Sequence, residues 1–135
     1  MSLETDAQAA AADIVALEKT ALTRWGNGDP HGFVGLSSED MTYFDPDLAT
    51  RLDGHAAYGE LMVSLEGKIS VARFEMPNHR VQLYGDVGIL TFNLVNCNAD
   101  DTVRSRWNST EVYHKQEGAW KLVHSHWSLT RPAGD

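Results

Sequence analysis

The chain has 135 residues and a mass of 14.9 kDa, the length of one ordinary domain with room for one core and not for two. Its 42% hydrophobic composition fills such an interior without staples, and eleven Lys and Arg against nineteen Asp and Glu leave a formal charge of -8, which opposes binding to nucleic acid or to an anionic membrane surface. Cys97, the one cysteine, excludes an intrachain disulfide and a cysteine-rich zinc site.

In chain order, the pattern opens on a helix. Thr5 and Gln8 have capping-box spacing, and Ile14, Leu17, Ala21 and Trp25 then fall along one helical face that Gly26-Asn27-Gly28 ends. Asp29 before Pro30 is a restart: an acceptor at the N-cap, then a ring whose missing N–H costs nothing, so a short second helix turns Phe33 and Leu36 inward. Met41 to Phe44 reads as a short strand and Asp45-Pro46 as the loop after it. From Gly54 a third helix follows, with Tyr58, Leu61, Met62 and Leu65 at helical spacing. Past Gly67 the texture becomes strand-like in long runs: Ile69 to Tyr84, which Pro77-Asn78 bends or splits, then Val87 to Cys97, Val103 to Gln116 and Trp120 to Leu129. Helices first and strands after is an α+β pattern. It predicts, over residues 1–135, a single domain of three N-terminal helices packed on a curved antiparallel sheet, a half-open cone with an apolar mouth on its concave side. Met1 to Ala12 carry acids where an export signal needs a basic start, and no apolar run approaches the ~20 residues that span a bilayer, so the expected location is the cytoplasm.

This order of elements, with Asn27-Gly28-Asp29, Phe44-Asp45-Pro46, Gly54 and Gly118-Ala119-Trp120, resembles the nuclear transport factor 2-like (NTF2-like, cystatin-like) superfamily, which includes ketosteroid isomerase and SnoaL-like cyclases. Within it, Met41-Thr42 with Phe44 and Pro46, Leu52 with Gly54, Leu83 with Gly85-Asp86, and His114 with Gly118, Trp120, Val123-His124, His126 and Ser128 are similar to the association domain of calcium/calmodulin-dependent protein kinase II. The likeness runs from about Gly26 to Ser128. It implies a homodimer or larger homo-oligomer built through the convex sheet face and, with no kinase in the chain, a stand-alone homologue. The association domain lines its pocket with arginines, and Val95, Glu111 and Trp127 fall at those positions here. An anion-binding pocket is therefore not what the resemblance carries over.

Strand parity decides which side chains meet. With a turn at Glu117-Gly118, Glu111 and Tyr113 share a face with Val123, Ser125 and Trp127, the set suited to the concave pocket, and Thr110 and Val112 share the other with His124 and His126. The resemblance to ketosteroid isomerase places Asp45 on that enzyme's general-base aspartate and Glu111 on its oxyanion-binding acid, two carboxyls that an apolar cavity would make titrate apart. The tyrosine that completes the oxyanion hole aligns with Ala21, leaving Tyr58, Tyr43 and Trp25 as nearby substitutes and pointing away from steroid isomerisation as such. Each carboxyl also has a plain alternative. Asp45 fits as a turn residue before proline, and Glu111 as a buried carboxylate tied to Arg104, Arg106 or a tryptophan N–H.

The expected pocket wall is Trp25, Tyr43, Tyr58, Val95, Trp107, Tyr113, Val123, Ser125 and Trp127 around a small, mostly apolar, oxygen-bearing molecule. His124-Ser125-His126 has the same-face spacing of a metal-ligand pair but lacks a third ligand, so the histidines are read as interface residues, and no metal or cofactor is expected. Arg104 and Arg106, at the parity of Asn108 and Thr110, read as a polar convex face. Three functions stay open: cofactor-free proton transfer next to a carbonyl (isomerase, cyclase or lyase) with Asp45 as base and Glu111 as acid; small-ligand binding without chemistry; and assembly alone.

Overall fold

The helical stripe at Ile14, Leu17, Ala21 and Trp25 becomes helix α1 (Leu3–Gly26) in the computed structural model, which describes residues 3–130. The helix already runs before Thr5, so the capping-box pair lies inside it rather than at its start. Ile14, Ala21 and Leu22 are buried, and so is Glu18, an acid on the face that apolar periodicity marks as inward. The backbone N–H groups of Asn27 and Asp29 close onto Arg24 O and end the helix. Gly28 follows at φ 83, and its carbonyl takes the Gly67 N–H at 2.9 Å. A Cβ on Gly28 would stand 3.3 Å from Gly67 Cα. Gly28→Val is therefore expected to lower stability by about 1–3 kcal/mol through backbone strain alone, read as a lower urea midpoint at unchanged m-value.

Asp29 Oδ1 accepts the His31 N–H at 3.0 Å and opens α2 (His31–Leu36), which buries Phe33. Strand β1 (Ser37–Phe44) follows at once, four residues ahead of the expected Met41, and pairs with a two-residue strand, β2 (Leu52–Asp53), too short to leave a sequence pattern. Helix α3 (His55–Ser64) starts after Gly54 and buries Tyr58 and Met62. The run expected from Ile69 breaks around Pro77-Asn78 into β3 (Arg73–Glu75) and β4 (Arg80–Tyr84), both laid along β5 (Val87–Cys97). Then come β6 (Val103–Gln116) and β7 (Ala119–Leu129). The sheet order is β2-β1-β7-β6-β5-β3, with β4 also on β5, and every pairing is antiparallel except β1 with β7, which is parallel.

Besides a register shift between Ser37 and Thr42 where β1 meets β7, two β-bulges reset the side-chain parity of the long antiparallel strands. The first lies between Val112 and Tyr113, so that Val112 pairs with His124 but Tyr113 with Leu122; Val123 is the extra residue and fully buried Leu122 takes the inward place. The second lies between Asn96 and Cys97, which pair with Ser105 and Val103 and leave Arg104 unpaired. The concave face carries Leu90, Phe92, Leu94, Ser109, Glu111, Tyr113 and Ser125 toward the core, where α1 covers it. The convex face carries Phe44, Ile89, Thr91, Thr110, Val112, His124 and His126. Among the described residues, no helix is long and apolar enough to cross a membrane.

Candidate functional site

Where the sheet curls away from α1, the cone opens into a cavity of about 390 Å³. Its walls come from every layer: Leu22 and Trp25 of α1, Phe33 of α2, Tyr58 and Met62 of α3, Leu94 and Asn96 of β5, Ser105 and Trp107 of β6, and Trp127 of β7. The loop after α3 adds Leu65, Ile69 and Val71, and the end of β1 adds Tyr43, Asp45, Pro46 and Asp47. Aromatic edges shape the inside. Trp127 stands edge-on to Phe92 and Trp107 at 5.7 and 6.3 Å between ring centres, and Tyr43 meets Tyr58 at 5.1 Å.

The polar groups on this wall are few. Tyr43 O–H donates to Asp45 Oδ2 at 3.0 Å, and the Asp47 N–H donates to Asp45 Oδ1 at 2.8 Å. Asp45 is thus a turn residue and a wall residue at once. Burial, and next the Asp45 carboxylate, push the Tyr43 phenol above its ordinary range, so it stays a proton donor. Tyr58 is 2% exposed and lines the cavity, and its hydroxyl makes no hydrogen bond to another described residue. Burial, and then the nearby Glu111 carboxyl, hold it neutral too. Arg104 also reaches the wall, donating to the Ser70 carbonyl oxygen. The alternation of β6 puts it on the convex side; the bulge frees it from the ladder and turns it inward.

Glu111 is not on this wall. It lies beneath the floor, fully buried, with Ser125 O–H donating to its Oε1 and the Trp127 indole N–H donating to Ser125 Oγ at 2.9 Å. Neither arginine reaches it. Its neighbour is Glu18, whose Oε1 accepts the Tyr113 hydroxyl at 2.7 Å. Desolvation pushes Glu18 up to about 7 and Glu111 well above the usual carboxyl range, the latter also through the charge of Glu18.

Of the residues expected from sequence, the cavity brings together Asp45, Trp25, Tyr43, Tyr58, Trp107 and Trp127. Asp45 and Glu111 do not meet across it. Tyr113 and Ser125 are inward but sit under the floor with Glu111. Val95 pairs with Arg106 at the opposite parity from Leu94 and Asn96, and Val123 leaves the inward row at the bulge. Glu18 was missed, although its place three residues before Ala21 and four after Ile14 puts an acid on the buried stripe. On the convex face, His124 Nδ1 pairs with Thr42 Oγ1 at 2.8 Å, and the rings of His124 and His126 flank Phe44. Among the described residues, no group of three His, Cys, Asp or Glu could hold a metal ion.

Residues 10–131 match the family model of the calcium/calmodulin dependent protein kinase II association domain. Among solved structures, the chain is similar to a candidate ketosteroid isomerase from Parabacteroides distasonis ATCC 8503, 36% identical, with 88% of this chain and 86% of that one covered and a TM-score of 0.78. An NTF2-like protein of unknown function from Pseudomonas putida KT2440 is 23% identical, with coverage of 94% and 91% and a TM-score of 0.79. The association domain of the kinase from C. elegans is 22% identical, with coverage of 92% and 97% and a TM-score of 0.74. No curated protein matches the chain.

Proposed function

Because the chain belongs to the calcium/calmodulin-dependent protein kinase II association domain family, we propose that it self-assembles and holds a small, mostly apolar, oxygen-bearing molecule in its concave cavity. The observation that carries this reading is the wall itself: aromatic and aliphatic surface around a few polar atoms, with the uncommitted Tyr58 hydroxyl beside the Tyr43–Asp45 pair. A volume of about 390 Å³ is that of a small-molecule site. In this reading Tyr58 donates to a ligand oxygen, Asp45 accepts from a ligand hydroxyl, and the aromatic rings exclude water. Self-assembly is supported by relatives named as association domains and hubs, and the convex face is the surface this reading assigns to it.

A second reading is favoured by the seat of Asp45 on the wall, within reach of a bound molecule and already holding a phenol proton by hydrogen bond. This is cofactor-free proton transfer next to a carbonyl with Asp45 as the base. Glu111, enclosed below the floor, touches no substrate in this reading; Tyr58 is kept neutral by burial first and by the Glu111 carboxyl second.

Native mass spectrometry of the gently purified protein is the first test, and a small molecule carried through purification is the expected result. Asp45→Asn is then expected to weaken retention about tenfold, the worth of one hydrogen bond to a charged acceptor. If turnover of the captured molecule is found and the same Asp45→Asn substitution abolishes it while binding persists, the second reading holds. A protein that never carries a ligand, and whose melting temperature no small apolar carbonyl compound raises, would remove both.

A further inference from the structure

Glu18 of α1 and Glu111 of β6 face each other in the core, both with no exposed surface. An ionised carboxylate in such a place loses its hydration, and a second one beside it adds repulsion. The hydrogen bonds show how far the surroundings compensate. Each carboxyl has one satisfied oxygen: Glu18 Oε1 accepts from Tyr113 and Glu111 Oε1 accepts from Ser125. The other two oxygens, Glu18 Oε2 and Glu111 Oε2, are sealed from solvent with no donor in hydrogen-bond geometry among the described residues; the sealed Ser109 hydroxyl stands close enough to Glu111 to favour its ionised form but, like them, has no partner in that geometry. Yet the two carboxyls lie within hydrogen-bonding reach of each other.

Among the described residues, no cation offsets this pair. The titratable groups that face it are phenols, Tyr113 from β6, Tyr58 from α3 and Tyr43 from β1, all kept neutral by burial. From β5 and β7 the cross-strand partners of Glu111 are Leu90 and Ser125, neither of which titrates.

We propose that Glu18 and Glu111 form one buried proton-binding site, a single hydrogen held between Glu18 Oε2 and Glu111 Oε2 at neutral pH, which fastens α1 to the sheet beneath the cavity floor. The unit then carries one negative charge instead of two, and Tyr113 and Ser125 each donate to one end of it. Ser125 also holds the Trp127 indole N–H, so the proton fixes the orientation of a cavity wall as well as the seat of a helix. Removing it leaves two like charges with nothing between their inner oxygens. The sign follows from linkage: a carboxyl site that binds its proton more tightly folded than unfolded contributes stability at low pH that is lost as pH rises through the folded-state value. This site stands whether or not the cavity takes a ligand.

Glutamine reproduces a protonated glutamate in shape and places an N–H where the shared hydrogen lies, so Glu18→Gln and Glu111→Gln are the discriminating variants. Either is expected to unfold near the wild-type urea midpoint at about pH 5. From about pH 5 up to the folded-state value of the pair the wild type alone should lose stability, toward a tenfold fall in its folding constant per pH unit, while both variants stay level. The wild-type infrared spectrum at about pH 7 should show a neutral-carboxyl band that either substitution removes. A wild type without that band overturns the proposal even if neither variant folds. A band that survives in both variants overturns it too, because each carboxyl would then be neutral by burial alone. Recovery of alkaline stability by sodium or calcium chloride, beyond that given by tetramethylammonium chloride at equal ionic strength, would make the site one for a metal cation and overturn it as well.

Discussion

Tyr58→Ala is expected to destabilise the protein by about 3–5 kcal/mol, on the order of a hundred- to five-thousand-fold in the folding constant. The ring is one of the largest fully buried side chains, and it stands between α3 and β1, edge-on to Tyr43. Its removal leaves a void contiguous with the existing cavity, so neighbouring side chains cannot all collapse into it and the lost contacts go unreplaced. Tyr58→Phe separates the ring from its hydroxyl. Because that hydroxyl makes no hydrogen bond to another described residue, the phenylalanine variant should unfold within about 1 kcal/mol of wild type while binding an oxygen-bearing ligand more weakly. Urea titration of the three proteins checks both halves. Equal losses in the two variants would mean that the hydroxyl has a structural partner, and the ligand role assigned to it would fall.

The second large effect is expected on the opposite side of the sheet. Thr110 lies in the middle of the convex face, paired with Thr91 on one side and His126 on the other, and the apolar Val112, Ile89 and Phe44 surround it. A partner seated there would enclose whatever residue 110 carries. Thr110→Arg should therefore place an uncompensated charge inside the interface, a cost of several kcal/mol per protomer, while changing the stability of the isolated chain by less than ~0.5 kcal/mol. Sedimentation at micromolar concentration is expected to show the wild type as a dimer or larger and the variant near the 14.9 kDa of the single chain, with unchanged circular dichroism. A wild type that sediments as a single chain, or a variant that assembles as before, would contradict self-association through this face.

Much of this molecule can be read from its residues. The inward stripe of α1, the restart at Asp29-Pro30, the break at Pro77-Asn78 and the turns at Gly85 and Gly118 are local signals, and local chemistry decides them. The aromatic side of the cavity was legible for the same reason, since Tyr43, Tyr58, Trp107 and Trp127 follow from helical spacing and strand alternation. Alternation is also where the reading failed. A bulge inserts one residue without any mark in the sequence, and two of them displaced Val123 from the inward row and brought Arg104 to the cavity edge. Val95 failed differently: position by position, an alignment placed it on the wall, whereas the pleat turns it away between Leu94 and Asn96. The partner of Glu111 was beyond reach for a third reason. A buried acid in a helix is meaningful only once the opposing strand is known, and Glu18 lies far from Glu111 along the chain.

The parallel pairing of β1 with β7 has a consequence for the order in which the structure can assemble. Strands β4 to β7 are joined by short connections, so each hairpin closes a small loop and the meander gains its contacts at low entropic cost. The bond between Thr42 and His124 instead closes a loop of 82 residues, and no turn between its ends prepares it. Strand β1, with β2 and α3 attached, is thus the segment that must find a preformed edge, and the rate of folding should respond to substitutions in the β5–β6–β7 hairpins far more than to those in β1.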